Sequence, residues 1–234
     1  MARTIKEEEY ATRRNEILDV TTRLIYTKGY EQMTVQDVLD VLDISKGAFY
    51  HYFASKQELM ESVIARMIDE GLRFLNPIVE DETLPALEKL QRYFDGAVQW
   101  KTARRSEMLA ILRVWYADEN ALVRQKMFFA TSTAFAPTIT KIIHQGVREG
   151  VFHPAYPNQA AAMLLALMQG FGENFARPFL EPDPGSLSFL METIAAYTDA
   201  MERLIGLPPG SVTLIDEEGM KVWLEPEPAR DAPR

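Results

Sequence analysis

Cysteine is absent from the 234-residue chain, so there is no disulfide framework, no thiolate ligand for zinc and no cysteine nucleophile. That absence fits a reducing compartment, and the expected location is cytoplasmic. No stretch approaches the roughly 18 apolar residues that a membrane-spanning helix needs. Met1 to Tyr10 mixes basic and acidic residues without the apolar run of a secretion signal. Histidine is scarce: His51, His144 and His153 are the only ones, and none pair at the i, i+4 spacing of helical metal ligands. No metal and no cofactor is expected. Enzyme signatures are missing too. There is no G-x-S-x-G and no H-E-x-x-H, and the run Gly170, Phe171, Gly172 falls inside a helical stretch instead of after a strand. The chain reads as a non-enzyme. Internal repeats, low-complexity tracts and, until the tail, strand-type alternation are also lacking.

What is present is ordinary globular composition, 47% hydrophobic and 25% charged. Twenty-five Lys and Arg against thirty-four Asp and Glu give a net charge of -9, which argues against a coat-like nucleic-acid binder. A sequence-specific one is not excluded, because its affinity depends on where the positive charge sits.

Helical spacing of apolar residues predicts an all-α body. A first helix is expected over 8–28, with Ile17, Leu18, Thr21, Leu24 and Ile25 on one face and Gly29 as its stop. Thr34 then caps a short helix over 35–42, Ser45 caps another over 45–53, and Ser55 opens a longer one that should end near Leu75, before Asn76 and Pro77. Further helices are expected over 86–102, 106–117, 121–149, 157–177 and 186–205, with Pro137 inside the third of these. Beyond Gly206 the runs 212–215 and 220–224 are β-prone and separated by Asp216 to Gly219, which predicts a short β-hairpin followed by a frayed end over 225–234.

Two short helices separated by Asp43 and Ile44 have the size of a helix-turn-helix. In the second, SKGAFYHYF, Phe49, Tyr52 and Phe53 form an inward face. Lys46, Gly47, Tyr50 and His51 project from the other. A cation, a bare backbone, a phenol and an imidazole suit the edge pattern of a DNA major groove.

The run TVQDVLDVLDISKGAFYHYFASKQEL, Thr34 to Leu59, resembles the N-terminal domain of TetR-family transcriptional regulators. The resemblance is detailed over about the first quarter of the chain and architectural beyond it. It implies a DNA-contacting set of Thr34, Ser45, Lys46, Gly47, Ala48, Tyr50, His51 and Lys56. Lys46, Gly47 and Tyr50 would meet bases or adjacent phosphates, with Thr34 and Lys56 at the backbone. Three positions depart from the family pattern: Ala48 stands where Thr or Ser is frequent, Asp43 where Gly is, and Leu39 where Ala is. Met1 to Met60 holds eight basic residues against ten acidic, so non-specific affinity should be modest and tight binding should need two domains on a palindrome.

The organisation expected from the resemblance is a DNA-binding domain over 1–55, a helical effector-binding and dimerisation domain over 56–205, and a tail over 206–234. Large apolar residues beyond simple bundle needs include Trp100, Met108, Leu112, Trp115, Tyr116, Phe128, Phe135, Met168 and Phe171. They are the candidate lining of an effector pocket, core packing being the plain alternative. Lys101, Arg104 and Arg105 read first as solvated helix surface and second as partners of an anionic effector. A homodimer is expected through the last two long helices, using Ala160 to Leu167 and Phe189 to Met201, with reading helices about 34 to 36 Å apart.

The reading is a homodimeric repressor released from double-stranded operator DNA by a small, largely apolar effector. An activator or ligand-dependent DNA binder is the nearest alternative, and a small-molecule-binding protein with a vestigial DNA module is the alternative of another class.

Overall fold

The computed structural model describes residues 2–116 and 121–225. Ten helices and no strand occur among them: α1 (Ala2–Lys28), α2 (Val35–Leu42), α3 (Lys46–Tyr50), α4 (Lys56–Glu80), α5 (Ala86–Thr102), α6 (Arg105–Trp115), α7 (Ala121–Glu149), α8 (Pro157–Leu180), α9 (Ser186–Ile205) and α10 (Glu217–Leu224). None is long and apolar enough to cross a membrane.

Apolar residues assemble into two cores. The first gathers Ile17, Leu18, Leu24 and Ile25 of α1, Val38 and Leu39 of α2, Phe49 and Phe53 at α3, and Leu59, Met60, Val63 and Ile64 of α4. The second joins the far half of α4, through Leu75 and Val79, to α5, α7, α8, α9 and the C-terminal segment. Each fully buried Leu, Ile or Phe contributes about 1.5 to 3 kcal/mol of burial. Two helices serve both cores. α4 does so along its length. α6 does so across its width, with Ile111 in the first core and Leu109 in the second.

Local chemistry sets the helix ends. Thr34 caps α2 in a reciprocal box with Asp37, and Ser45 and Ser55 cap α3 and α4 by accepting from Ala48 N–H and Glu58 N–H. Gly206 ends α9 at φ 72°, and a Cβ there would lie 2.6 Å from the His153 carbonyl oxygen. Only glycine meets both demands.

Two expectations are corrected. α4 runs through Asn76 and Pro77 to Glu80. One lost N–H is outweighed by burial of Val79 and by the packing of Ile78 against α5 at Gly96. The C-terminal hairpin is replaced by α10. Asp216 caps it by accepting from Gly219 N–H, and Met220 and Trp223, one turn apart, are buried on the main body. The frayed end expected after Glu225 falls outside the described residues.

Candidate nucleic-acid interface and effector region

α3 spans Lys46–Tyr50, shorter than the helix expected over 45–53, and its side chains divide sharply. Phe49 and Phe53 are fully buried, so the helix is held by its aromatic underside. Ser45, Lys46, Gly47, Tyr50 and His51 are all exposed, with Tyr50 at 47%. Ala48 is half-buried. The turn before α3 is made by Asp43 in the left-handed region, φ 50° and ψ 49°, its N–H donating back to Leu39. Asp tolerates that geometry, so a helix-turn-helix forms without the usual glycine. Lys46 Nζ sits 6.0 Å from the centre of the Tyr50 ring, placing cation and phenol side by side on one outward surface.

The flanking positions are more committed than the sequence indicates. The Thr34 hydroxyl accepts from Asp37 N–H at 3.1 Å and lies 3.1 Å from the Asp37 carboxylate, which also receives Thr34 N–H at 2.8 Å. Lys28 donates to the same carboxylate at 2.6 Å and, as the chief cause, holds its pKa below the usual range. Lys56 lies 4.2 Å over the Tyr30 ring and reaches the Glu31 carbonyl at 3.4 Å. Burial lowers its pKa.

Sequence reasoning missed Tyr10. Its ring packs 4.8 Å from Tyr52 and edge-on 5.6 Å from His51, fixing the end of α3 against α1. Arg14, one turn on, lies 4.7 Å over Phe53 and donates to Ser62 at 2.8 Å. The signal was available: Tyr10, Arg14, Ile17 and Thr21 follow one helical stripe.

In the second half, Met108, Leu112, Phe135, Met168 and Phe171 are partly buried against the larger core. Trp100 and Phe135 meet beside Gly71, where a Cβ would lie 4.0 and 3.7 Å from their rings. Phe128 is half-buried, 5.7 Å from Phe129, and Tyr116 donates to the Gly172 carbonyl at 3.3 Å. The Trp115 side chain lies outside the described residues. These side chains come from α5, α6, α7 and α8, and the structure brings Trp100 and Phe135 together at Gly71 of α4. Of the cationic cluster, Arg104 covers Trp100 at 4.6 Å. Arg105 donates to the Trp223 carbonyl at 3.1 Å and to that of Glu225. Neither is a free surface charge.

The residues expected at a dimer face divide between the protomer's core and its surface. Ala160, Ala161, Leu164, Leu190, Ile194 and Met201 are buried in the protomer's own core. Ala162 and Phe189, also in the expected face, are exposed, as are Met163 and Ala166 on α8 and Ala195 and Ala196 on α9. The apolar stripe of each helix was wide enough to serve two partners, and the sequence does not say which half faces inward.

Comparison with known proteins follows this division. Residues 17–63 match the family model described as bacterial regulatory proteins, tetR family, and residues 110–175 match one described as tetracyclin repressor-like, C-terminal domain. The chain is 24% identical over 203 residues to an uncharacterized HTH-type transcriptional regulator, YfiR, of Bacillus subtilis, covering 84% of this chain and 95% of that protein. It is 28% identical over 152 residues to the HTH-type transcriptional repressor KstR2 of Mycolicibacterium smegmatis, covering 62% and 69%. Among solved structures, a TetR transcription regulator from Haloarcula marismortui superposes with a TM-score of 0.62 at 20% identity over 82% of this chain and 98% of that one. That likeness speaks for the fold.

Proposed function

The chain belongs to the TetR family of DNA-binding transcriptional regulators, and from that premise we propose that it is a homodimeric repressor whose operator is released by a small, largely apolar effector. The observation that carries the DNA half is the division of α3: Phe49 and Phe53 are fully buried while Lys46, Gly47, Tyr50 and His51 stand exposed. In this reading Lys46, Gly47, Ala48, Tyr50 and His51 enter the major groove, and Thr34, Ser45 and Lys56 meet the backbone beside it. The names of the KstR2 and DhaR relatives, both repressors, support the sign of regulation.

Residues 1–55 read DNA in this proposal. Residues 56–205 bind effector and pair the protomers, with the segment from 206 completing their core. The effector site lies where Trp100, Met108, Leu112, Phe135, Met168 and Phe171 converge. The released and bound states differ in the setting of α4 and α6, the two helices that enter both cores. A ligand favouring one setting by about 1 to 3 kcal/mol gives a substantial response. The protein acts in the cytoplasm, where its DNA is.

The test is in vitro selection of genomic fragments by the purified protein with Tyr50→Ala and Lys46→Ala in parallel. Enrichment of one palindrome by the wild type alone is expected. Equal enrichment by the variants would overturn the assignment of α3.

A further inference from the structure

His51 stands exposed at the C-terminal end of the five-residue α3, its N–H donating to the Gly47 carbonyl at 3.2 Å. No further turn of α3 follows to flank its side chain. Two rings from outside the helix do so instead. Tyr52 meets the imidazole edge-on at 5.1 Å and 77°, and Tyr10 of α1 meets it edge-on at 5.6 Å and 86°. Both are favourable perpendicular ring pairs. The Tyr10 ring also lies 4.8 Å from Tyr52, inclined at 34°, so the three rings close on one another.

This small cluster is anchored on two sides. Tyr52 is half-buried against the first core. Arg14, one turn along α1 from Tyr10, lies over Phe53 and donates to Ser62 of α4, which fixes α1 at this height. Tyr10 itself is 39% exposed and belongs to neither core. An exposed histidine free about both side-chain torsions must be ordered when it meets DNA, and that ordering subtracts from affinity. An imidazole flanked by two rings is ordered beforehand and serves only the partners that lie along the direction left open.

We infer that Tyr10 is a positioning residue for DNA reading: its ring, not its hydroxyl, holds the His51 imidazole in the pose used at the groove. This rests on the reading of α3 as the major-groove helix. It adds a residue of α1, outside the helix-turn-helix, that acts through His51.

The test compares the full-length wild type with Tyr10→Ala, Tyr10→Phe, His51→Ala and the double variant Tyr10→Ala/His51→Ala. Each is taken through selection from a random duplex library and titration of the duplex that the wild type enriches. Tyr10→Ala and His51→Ala should each weaken binding about tenfold and lose base preference at the same positions. The double variant should fall within about twofold of either single one, and Tyr10→Phe, which keeps the ring, should restore most of the loss. Single losses that multiply in the double variant, wild-type binding by Tyr10→Ala, or a Tyr10→Phe as weak as Tyr10→Ala would each overturn the inference. Histidine ring resonances test the same contact without DNA. The His51 signals, assigned with His51→Gln in protein labelled with carbon-13 at its histidines, should move in Tyr10→Ala as the ring current is lost and stay near the wild-type position in Tyr10→Phe. Unmoved signals in Tyr10→Ala would overturn it. Should Tyr10→Ala fail to fold, Tyr10→Leu, which covers Tyr52 without a ring, takes its place with the same expected results. Lys46→Ala and Tyr50→Ala separate the two readings. No enrichment by the wild type, or full binding by both of these variants, brings down the assignment of α3 and this inference with it. Binding lost in both but kept in His51→Ala brings down this inference alone.

Discussion

The Phe152 ring lies across Gly146 so closely that a Cβ at position 146 would come within 2.1 Å of it. Phe152 is 1% exposed, and its N–H and that of Val151 both donate to the Gly146 carbonyl, at 3.1 and 2.9 Å. Ring and backbone are therefore fixed against the same glycine, and neither can yield alone. Gly146→Ala should lower the stability of the larger core by about 2 to 4 kcal/mol. Urea unfolding reads this directly, and a loss under about 1 kcal/mol would show that the α7–α8 corner is softer than its geometry.

Asp43 should be replaceable to advantage. Its left-handed backbone, φ 50°, suits glycine better than an L side chain, and its carboxylate lies at the turn leading into α3. Asp43→Gly is expected to leave stability within about 1 kcal/mol. Operator affinity should rise several-fold at low salt, the gain shrinking as salt is raised. An affinity that falls, or a gain that ignores salt, would mean that Asp43 makes a contact of its own.

The Asp37 carboxylate ties α1 to α2: it receives Lys28 of α1 and Thr34 N–H at the start of α2, while the Asp37 backbone N–H donates to the Thr34 hydroxyl. The Lys28 hydrogen bond first, then that of Thr34, holds its pKa below 3.8. The stabilisation is thus fully present above the ordinary carboxylate pKa and is lost as pH falls through the lower, folded value. Asp37→Asn should cost about 0.5 to 1 kcal/mol near neutral pH. The wild-type advantage should disappear in acid, as thermal melts at stepped pH would show.

The helix-turn-helix was legible because its signals are local and mutually consistent. Thr34 with Asp37, Ser45 with Ala48 N–H, and an aromatic underside at Phe49 and Phe53 each dictate one piece of geometry within a few residues. The tail misled for a physical reason. Val212, Leu214 and Ile215 look β-prone, and Gly219 looks like a turn. Yet Asp216 followed by Glu217 and Glu218 is an N-cap with an acidic first turn, and Met220 and Trp223 have helical spacing. Local propensity and capping disagreed there, and burial against the second core settled it. The cations Lys101, Arg104 and Arg105 look alike in the sequence, and only packing separates them: Lys101 is exposed, Arg104 lies over the Trp100 ring and Arg105 donates to the Trp223 carbonyl.

Trp223 binds the C-terminal helix to the corner between α5 and α6. Its indole N–H donates to Thr102 Oγ1 at 3.0 Å, its ring stacks 5.3 Å from Phe179 of α8, and its carbonyl accepts from Arg105 at the start of α6. Trp223→Ala removes a buried aromatic and should cost about 3 to 5 kcal/mol. Thr102→Val keeps the shape and strands the indole N–H, which should cost about 1 to 2 kcal/mol. Once the indole is gone, Thr102→Val should cost almost nothing, so the double variant should fall short of the sum by about 1 kcal/mol or more. The tail also buries Val212, Leu214 and Met220 in the protomer's own core. Truncation after Gly206 should therefore lower stability by an amount independent of protein concentration, which chemical unfolding across a concentration series would show. A loss that grows on dilution would place the tail at the dimer interface instead.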